Sequence, residues 1–310
     1  MNSPRYTIRN YSPADFDGYV ELNTLTEKLE PTGRSTSPEA ISENLNQPSY
    51  SPEQDLFVIE TGGKIVGFAS VTPERIARRA ILDCVVHPEH RRRGLATRLL
   101  GCALQRAEEV DARLAHVNVR EDNTIANNVL SRFGFGVVRR FLELRLQLSE
   151  VQIPEATHDA YPCLHLQPGE EDKLTRIQNR CFTGTWGYNP NTTKEIVYRL
   201  NSGGRSPEDV VLICENDKPV AYCWTIIYPE NGVDSGKKSG RIYMIGVDPD
   251  FRGRGLGRIA LLAGLSHLKA RDVQVIDLTV DSENSPARAL YQSTGFKVWT
   301  SSLWYEILIG

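Results

Sequence analysis

The residues best suited to chemistry in this chain form a basic glycine turn, Arg252-Gly-Arg-Gly-Leu-Gly257. A turn that opens a helix presents N–H groups without intrahelical partners and the positive end of the helix dipole, which together make an anion site. Glycine lets a ligand reach the backbone with no Cβ in the way, and arginine neutralises phosphate. A pyrophosphate is the natural occupant. The turn also fits a dinucleotide fingerprint, because Gly255-Leu-Gly257-Arg-Ile-Ala260 reads G-x-G-x-x-A and Asp277 lies about 20 residues beyond Gly255. That rival is weakened by the arginines crowding the turn and by its position, which does not open an N-terminal βαβ unit. No Walker lysine accompanies it, which argues against nucleotide hydrolysis.

The elements that position the turn occur twice. Val86-His-Pro-Glu-His-Arg-Arg-Arg-Gly-Leu-Ala96 aligns with Val247-Asp-Pro-Asp-Phe-Arg-Gly-Arg-Gly-Leu-Gly257, so that 161 residues separate Arg91 from Arg252. The same 161 residues separate Asn123 from Asn284 and Gly134-Phe135 from Gly295-Phe296. The repeat therefore preserves the spacing between its two motifs without a gap, and it fixes a two-domain organisation independently of function. The earlier turn reads Gly94-Leu-Ala96-Thr-Arg-Leu99, which loses two small positions of the dinucleotide fingerprint while keeping its arginines.

Each copy reads as strand, basic glycine turn, helix, strand, short helix and strand. Residues 80–86 and 241–247 are apolar runs ending in a Pro-containing turn, as strands do. Helical periodicity follows at Leu95, Leu99, Ala103 and Ala107 in one copy and at Leu256, Ile259, Leu262 and Leu265 in the other. Strands are expected at 114–119 and 273–280. Residues 149–162 are polar, carry two prolines and lack periodicity, so the expected division is a first domain at 1–150, a linker at 151–162 and a second domain at 163–310. The stretch 228–240, YPENGVDSGKKSG, reads as a long hairpin loop.

Composition bounds the function. A chain of 310 residues can bury two cores, and a net charge of -3 gives no broad attraction to nucleic acid. No apolar run reaches the roughly 18 residues of a membrane span, and residues 1–11 lack the apolar core of a signal peptide, so a cytoplasmic protein is expected. Cys84, Cys102, Cys163, Cys181, Cys214 and Cys223 form no CxxC pair and have no histidine at ligand spacing, which points to buried free thiols and no metal.

The pattern Arg252-x-x-Gly255-x-Gly257 after a strand and a Val247-Asp-Pro turn, followed by Asn284-Ser-Pro-Ala287-Arg-Ala-Leu290-Tyr291-Gln-Ser-Thr-Gly295-Phe296, resembles the GNAT superfamily of N-acetyltransferases. The match covers the second half of each copy, and the first halves agree in outline. The resemblance implies an α/β fold of two tandem GNAT-like domains, each a splayed mixed sheet flanked by helices. It implies acetyl-CoA as acyl donor, with the backbone of Ile245, Gly246 and Val247 on the pantetheine. The turn Arg252, Gly253, Arg254, Gly255, Leu256, Gly257 and Arg258 would hold the pyrophosphate, and Asn284 would touch the cofactor arm. In the first copy the corresponding surface is Cys84, Val85 and Val86 with Arg91, Arg92, Arg93, Gly94, Leu95, Ala96 and Thr97.

By the same resemblance Tyr291 looks like the general acid. A phenol of pKa about 10 against a thiol of about 8.5 makes complete proton transfer uphill by about 2 kcal/mol, so Tyr291 is best viewed as a positioned donor acting while charge develops. The first copy has Leu130 at this position and cannot donate a proton, so its chemistry is expected to be degenerate. The two-copy organisation and the segment Phe182-Thr-Gly-Thr-Trp186-Gly-Tyr188-Asn-Pro190 also look like mycothiol synthase and related tandem acetyltransferases. Those enzymes carry a glutamate as general base eleven positions before the basic motif, where this chain has Arg241. Asp277, Asp281, Glu283 or an ordered water are the candidate substitutes, and Trp186 and Tyr188 are candidate acceptor-binding residues.

The expected function is transfer of acetyl from acetyl-CoA to a primary amine of a small molecule or peptide at the second copy. The alternatives are a mycothiol synthase-like enzyme and a non-catalytic acyl-CoA-binding or sensing module. A monomer is expected, because two fused copies supply internally the contacts that single copies gain by dimerising.

Overall fold

A computed structural model describes residues 5–32, 34–154, 161–228 and 238–310 of the chain, which divides into two compact units. One comprises Met1–Arg139 with Leu303–Gly310, the other Arg140–Ser302. The chain runs β1 (Thr7–Asn10), α1 (Phe16–Leu29), α2 (Pro38–Leu45), α3 (Pro52–Asp55), β2 (Leu56–Thr61), β3 (Lys64–Glu74), β4 (Arg79–Val86), α4 (Leu95–Glu109), β5 (Leu114–Arg120), α5 (Thr124–Phe133) and β6 (Gly136–Gln147). It continues as β7 (Cys163–His165), α6 (Glu171–Phe182), α7 (Thr193–Leu200), β8 (Val210–Glu215), β9 (Lys218–Ile227), β10 (Ser239–Val247), α8 (Leu256–Ala270), β11 (Val275–Asp281), α9 (Ser285–Ser293) and β12 (Lys297–Leu308).

These boundaries differ from the expected ones for a topological reason. β6, the last strand of the first sequence repeat, pairs along Phe141 to Gln147 with β11 of the second, while the end of β12 returns to the first unit. Each unit is thus completed by the strand that terminates the other repeat. In the first unit β1 to β5 form a mixed sheet, antiparallel except for β4 beside β5, and His116 of β5 bonds to Glu306 of β12. In the second unit the order is β6, β11, β10, β9, β8, β7, with β10 parallel to β11.

Helices cover the sheets because their apolar residues recur on one face. Leu95, Leu99, Leu100, Ala103 and Ala107 of α4 are buried in the first core, each large one contributing about 1.5–3 kcal/mol of burial. α8 is buried over a wider arc than its sequence periodicity suggests: Ala260, Leu261 and Gly264 are inside as well, and Ile259 is only partly so. Gly264 is required there, since a Cβ would lie 2.3 Å from Cys223 Sγ. None of the described helices is long and apolar enough to cross a membrane. Most of the 228–240 stretch lies outside the described residues; its ends are tied by the Tyr228 N–H donating to the Ser239 carbonyl at 2.9 Å.

Candidate functional site

Both units open a wedge in their sheets. β10 pairs with β11 only over Ser239, Gly240 and Arg241, and β4 pairs with β5 only over Arg79, Ala80 and Ile81; beyond these residues the parallel strands part. The Asp248 N–H donates to the Val220 carbonyl at 2.9 Å, so the alternation of an antiparallel ladder turns the backbone of Gly246 toward β9 and that of Ile245 and Val247 into the wedge. The His87 N–H donates to the Val66 carbonyl at 2.9 Å and, by the same alternation, Cys84 and Val86 face the first wedge. Of the predicted strand residues, Gly246 and Val85 therefore present backbone to the neighbouring strand. Gly246 has a different role: a Cβ there would stand 2.7 Å from Cys181 Cβ, so its absence lets α6 approach the sheet.

Each wedge leads to the N-terminus of a helix. Gly94 and Gly255 are the N-cap residues of α4 and α8, at φ 72° and 78°, and neither helix has a side-chain cap. Their first N–H groups remain available for an anion. Gly253 also has φ 78°, and its counterpart Arg92 keeps the same left-handed conformation at φ 60° although it is not glycine. The leading arginines fasten the turn. Arg252 donates from Nε to the Val247 carbonyl at 3.4 Å and from Nη2 to the Cys181 carbonyl at 2.9 Å. Arg91 donates from Nε to the Val86 carbonyl at 3.0 Å and pairs through both other nitrogens with Glu30 at 2.6 and 2.7 Å. Arg254 lies over the Phe251 ring at 4.8 Å, Arg93 near the Tyr6 ring at 6.0 Å, and Arg258 has no partner among the described residues.

Tyr291 sits in the core cluster that also holds Leu256 and against which Ile245 and Val247 pack. α9 ends in a Schellman-type closure, the Phe296 N–H donating to the Tyr291 carbonyl at 3.1 Å, and the two rings meet edge to face at 5.9 Å. The Tyr291 hydroxyl has no hydrogen-bond partner among the described residues, and burial pushes its pKa up, so it stays protonated. The Phe135 N–H closes α5 on Leu130 in the same way at 3.0 Å, and Leu130 is a core residue. Asn284 and Asn123 are N-caps, accepting from Ala287 N–H at 3.2 Å and Ala126 N–H at 3.1 Å, so the Asn284 oxygen is already engaged.

The side of the second wedge opposite α8 is lined by charge. On β11, Ile276, Leu278 and Val280 point into the core, which turns Asp277, Thr279 and Asp281 to the other face; on β6, Leu142, Leu144 and Leu146 do the same for Phe141, Glu143 and Arg145. Asp277 is held by Arg145 through both oxygens, at 2.8 and 3.0 Å, and the Arg145 guanidinium lies 4.2 Å over the Trp299 ring. Asp281 accepts from the Glu283 N–H at 2.9 Å in the turn before α9, and Glu283 is exposed there. Arg241 donates to the Thr279 hydroxyl and, at 3.2 Å, to Glu143, whose other oxygen accepts from Thr279 at 2.6 Å.

Trp186 and Tyr188 lie between α6 and α7. Trp186 meets Phe141 edge to face at 5.9 Å, whereas Tyr188 stacks on Phe182 at 5.4 Å and its hydroxyl is engaged by Asn179 and Asn191. Glu143 is not among the residues the sequence singles out, because it belongs to the first repeat. Its signal was the alternation Phe141, Glu143, Arg145 in a strand whose partner could not be read locally.

In the first unit two ion pairs tie the α1–α2 segment to β4 and to the turn. Arg34, between α1 and α2, pairs with Asp83 of β4 at 2.5 Å, and Glu30 at the end of α1 holds Arg91. All six cysteines are free; Cys181, Cys214 and Cys223 are buried, and Cys84, Cys102 and Cys163 only partly so. Burial pushes the Cys84 and Cys181 thiols up to about 12. Among the described residues no cluster of His, Cys, Asp and Glu is arranged to hold a metal.

The acetyltransferase (GNAT) family matches the chain twice, over residues 22–135 and 172–296. The chain is 29% identical over 259 residues to the mycothiol acetyltransferase of Pseudarthrobacter chlorophenolicus, covering 83% of this chain and 78% of the relative. Its fold is similar to that of a GCN5-related N-acetyltransferase from Sphaerobacter thermophilus, with TM-score 0.73 and 21% identity, covering 100% of this chain and 97% of the other. A tandem GNAT protein from the clavulanic acid biosynthesis pathway is similar with TM-score 0.72 and 16% identity over 99% of both chains.

Proposed function

The chain belongs to the acetyltransferase (GNAT) family and is an N-acetyltransferase, and we propose that it moves acetyl from acetyl-CoA to a primary amine of a small molecule or peptide at its second unit. The observation that carries this reading is the second wedge: the backbone of Ile245 and Val247 faces into it, the uncapped α8 N-terminus ends it, and Tyr291, in the core cluster against which Ile245 and Val247 pack, has a hydroxyl with no partner among the described residues. Ile245 and Val247 would pair with the pantetheine as a neighbouring strand would. The N–H groups of Leu256 and Gly257, with Arg258, would hold the pyrophosphate, while Arg252 braces the turn. Tyr291 would donate to the departing sulfur.

The mycothiol acetyltransferase relatives suggest their acceptor as the first to test. We place the protein in the cytosol as a monomer that needs neither nucleic acid nor membrane, and a stable dimer in light scattering would overturn the monomer. The activity is tested by following free thiol released from acetyl-CoA with a panel of 2-aminosugars, aminoacyl amides and arylalkylamines. Turnover that collapses in Tyr291→Phe is expected. Acetyl-CoA binding without turnover of any acceptor would replace this reading with a non-catalytic binding module.

A further inference from the structure

The position eleven residues before Arg252 is Arg241, so no carboxylate stands where the related tandem enzymes place their base. The structure supplies another from an unexpected strand. β10 and β11 separate after Arg241 and Asp277, and Thr279 is the next residue of β11 on the face opposite α8. Glu143 of β6 lies in register with Thr279 and accepts its hydroxyl hydrogen at 2.6 Å. It therefore stands at the root of the wedge, on the face shared with Phe141 and Trp186.

Its neighbours hold it without using it up. Arg241 donates to Oε2 at 3.2 Å and also to the Thr279 hydroxyl, while Thr279 takes Oε1. An ionised carboxylate offers about four acceptor sites, so each oxygen retains one. The Glu143 side chain is 28% exposed, which leaves it open to a ligand. Asp277 is differently placed: Arg145 takes both of its oxygens side-on.

We infer that Glu143, delivered by the last strand of the first repeat, is the group that binds the acceptor ammonium and takes its proton, with Arg241 and Thr279 as positioning residues. The inference rests on the proposed acyl transfer. An acceptor ammonium gives one proton to Glu143, which passes it to solvent. The neutral amine then forms the C–N bond as the C–S bond breaks. The nitrogen's second proton is lost as the thiolate gains one, donated by Tyr291 and replenished to it. The net change is ammonium and thioester to amide, thiol and one proton.

The test compares Glu143→Gln with the wild type on two matched probes at pH 7: 2-phenylethylamine, which is protonated, and its 2,2-difluoro analogue, which is largely neutral. Loss of a positioned base costs about 10²-fold in kcat/KM for the protonated amine, and the analogue needs no such base, so its loss stays under about 5-fold. Glu143→Asp restores part of the rate and Thr279→Val lowers it more mildly, with coenzyme A affinity unchanged in all three. Equal losses on both probes, or none on either, overturn the role of Glu143 while leaving the proposed acyl transfer intact. A wild-type protein that acetylates no amine of the wider panel overturns both.

Discussion

The two units share one backbone device and differ in what surrounds it. Both have a wedge after three paired residues, a left-handed glycine as N-cap, and an arginine tying the turn to the last carbonyl of the strand. In the first, the α1–α2 segment is fastened to β4 by Arg34 to Asp83 and to the turn by Glu30 to Arg91. In the second, Met244 replaces Asp83, and α6 is fastened through Arg180 to Asp248, leaving the wedge face to Glu143, Thr279 and Arg241. A glycine turn at an uncapped helix N-terminus survives in a repeat because it is mostly backbone geometry. Chemistry depends on side chains around it, and these have diverged.

The largest expected effect tests that division. Tyr291→Phe is expected to lower kcat about 10²–10³-fold, since the proposed donor to the leaving group is lost while the ring packing on Phe296 is kept. Leu130→Met in the first unit leaves turnover unchanged and shifts stability by less than about 1.5 kcal/mol, as volume-conserving core changes do. Leu130→Tyr is expected to create no second active site, because the first unit presents the Arg34–Asp83 pair and the second presents Glu143 and Thr279. A rise in turnover in Leu130→Tyr that survives combination with Tyr291→Phe would show that the tyrosine alone distinguishes the two units.

The next effect concerns the exchanged strands. His116 lies opposite Glu306 at 2.7 Å and Asp277 opposite Arg145 at 2.8 Å, and 161 residues separate His116 from Asp277 and Arg145 from Glu306. If each repeat kept its own strand, Glu306 would face Asp277, carboxylate against carboxylate. The charges thus favour exchange. Arg145→Glu recreates that repulsion in a mostly buried site and should destabilise by about 2–3 kcal/mol in denaturant unfolding. Arg145→Asp with Asp277→Arg should recover more than half. Glu306→Gln, opposite a neutral histidine, should cost about 1 kcal/mol.

A smaller and pH-dependent difference follows from His116. Burial holds its pKa below the ordinary value despite Glu306. The unfolded chain binds the proton near pH 6.5 and the folded chain only at lower pH, so stability falls as pH drops below about 6.5 and levels off under the folded value. The second unit has an aspartate there and lacks this response. His116→Asn should flatten the loss between pH 7 and 5 relative to wild type, and an unchanged slope would remove His116 as its cause.

The turns, the four central strands and the paired helices were legible because they rest on local signals: glycine spacing, apolar runs, a conserved offset between copies. The partner of β6 was not legible, because pairing to its own repeat or to the other one uses the same alternation of Leu142, Leu144 and Leu146. The site inherited that blindness. Asp277, Asp281 and Glu283 were visible as nearby carboxylates, but the first is held by Arg145, a residue of the exchanged strand, and Glu143 arrives from the same strand. Arg252 read as a phosphate ligand, yet its guanidinium meets two backbone carbonyls, which no spacing rule reveals.

The smallest expected effect separates conformation from composition in the two turns. Gly253 and Arg92 occupy equivalent positions at φ 78° and 60°, so the loop keeps its shape whether or not glycine is present. A side chain in that region costs about 1–2 kcal/mol, and glycine offsets roughly half of this through its larger unfolded-state entropy. Arg92→Gly should therefore stabilise by up to about 1 kcal/mol, and Gly253→Ala, with nothing within 4 Å of its added Cβ, should destabilise by a similar amount. If coenzyme A affinity at the second unit falls in Gly253→Ala by more than the stability change accounts for, the glycine serves ligand approach and not merely the turn. Affinity that tracks wild type would assign it to backbone shape alone, as in the first unit.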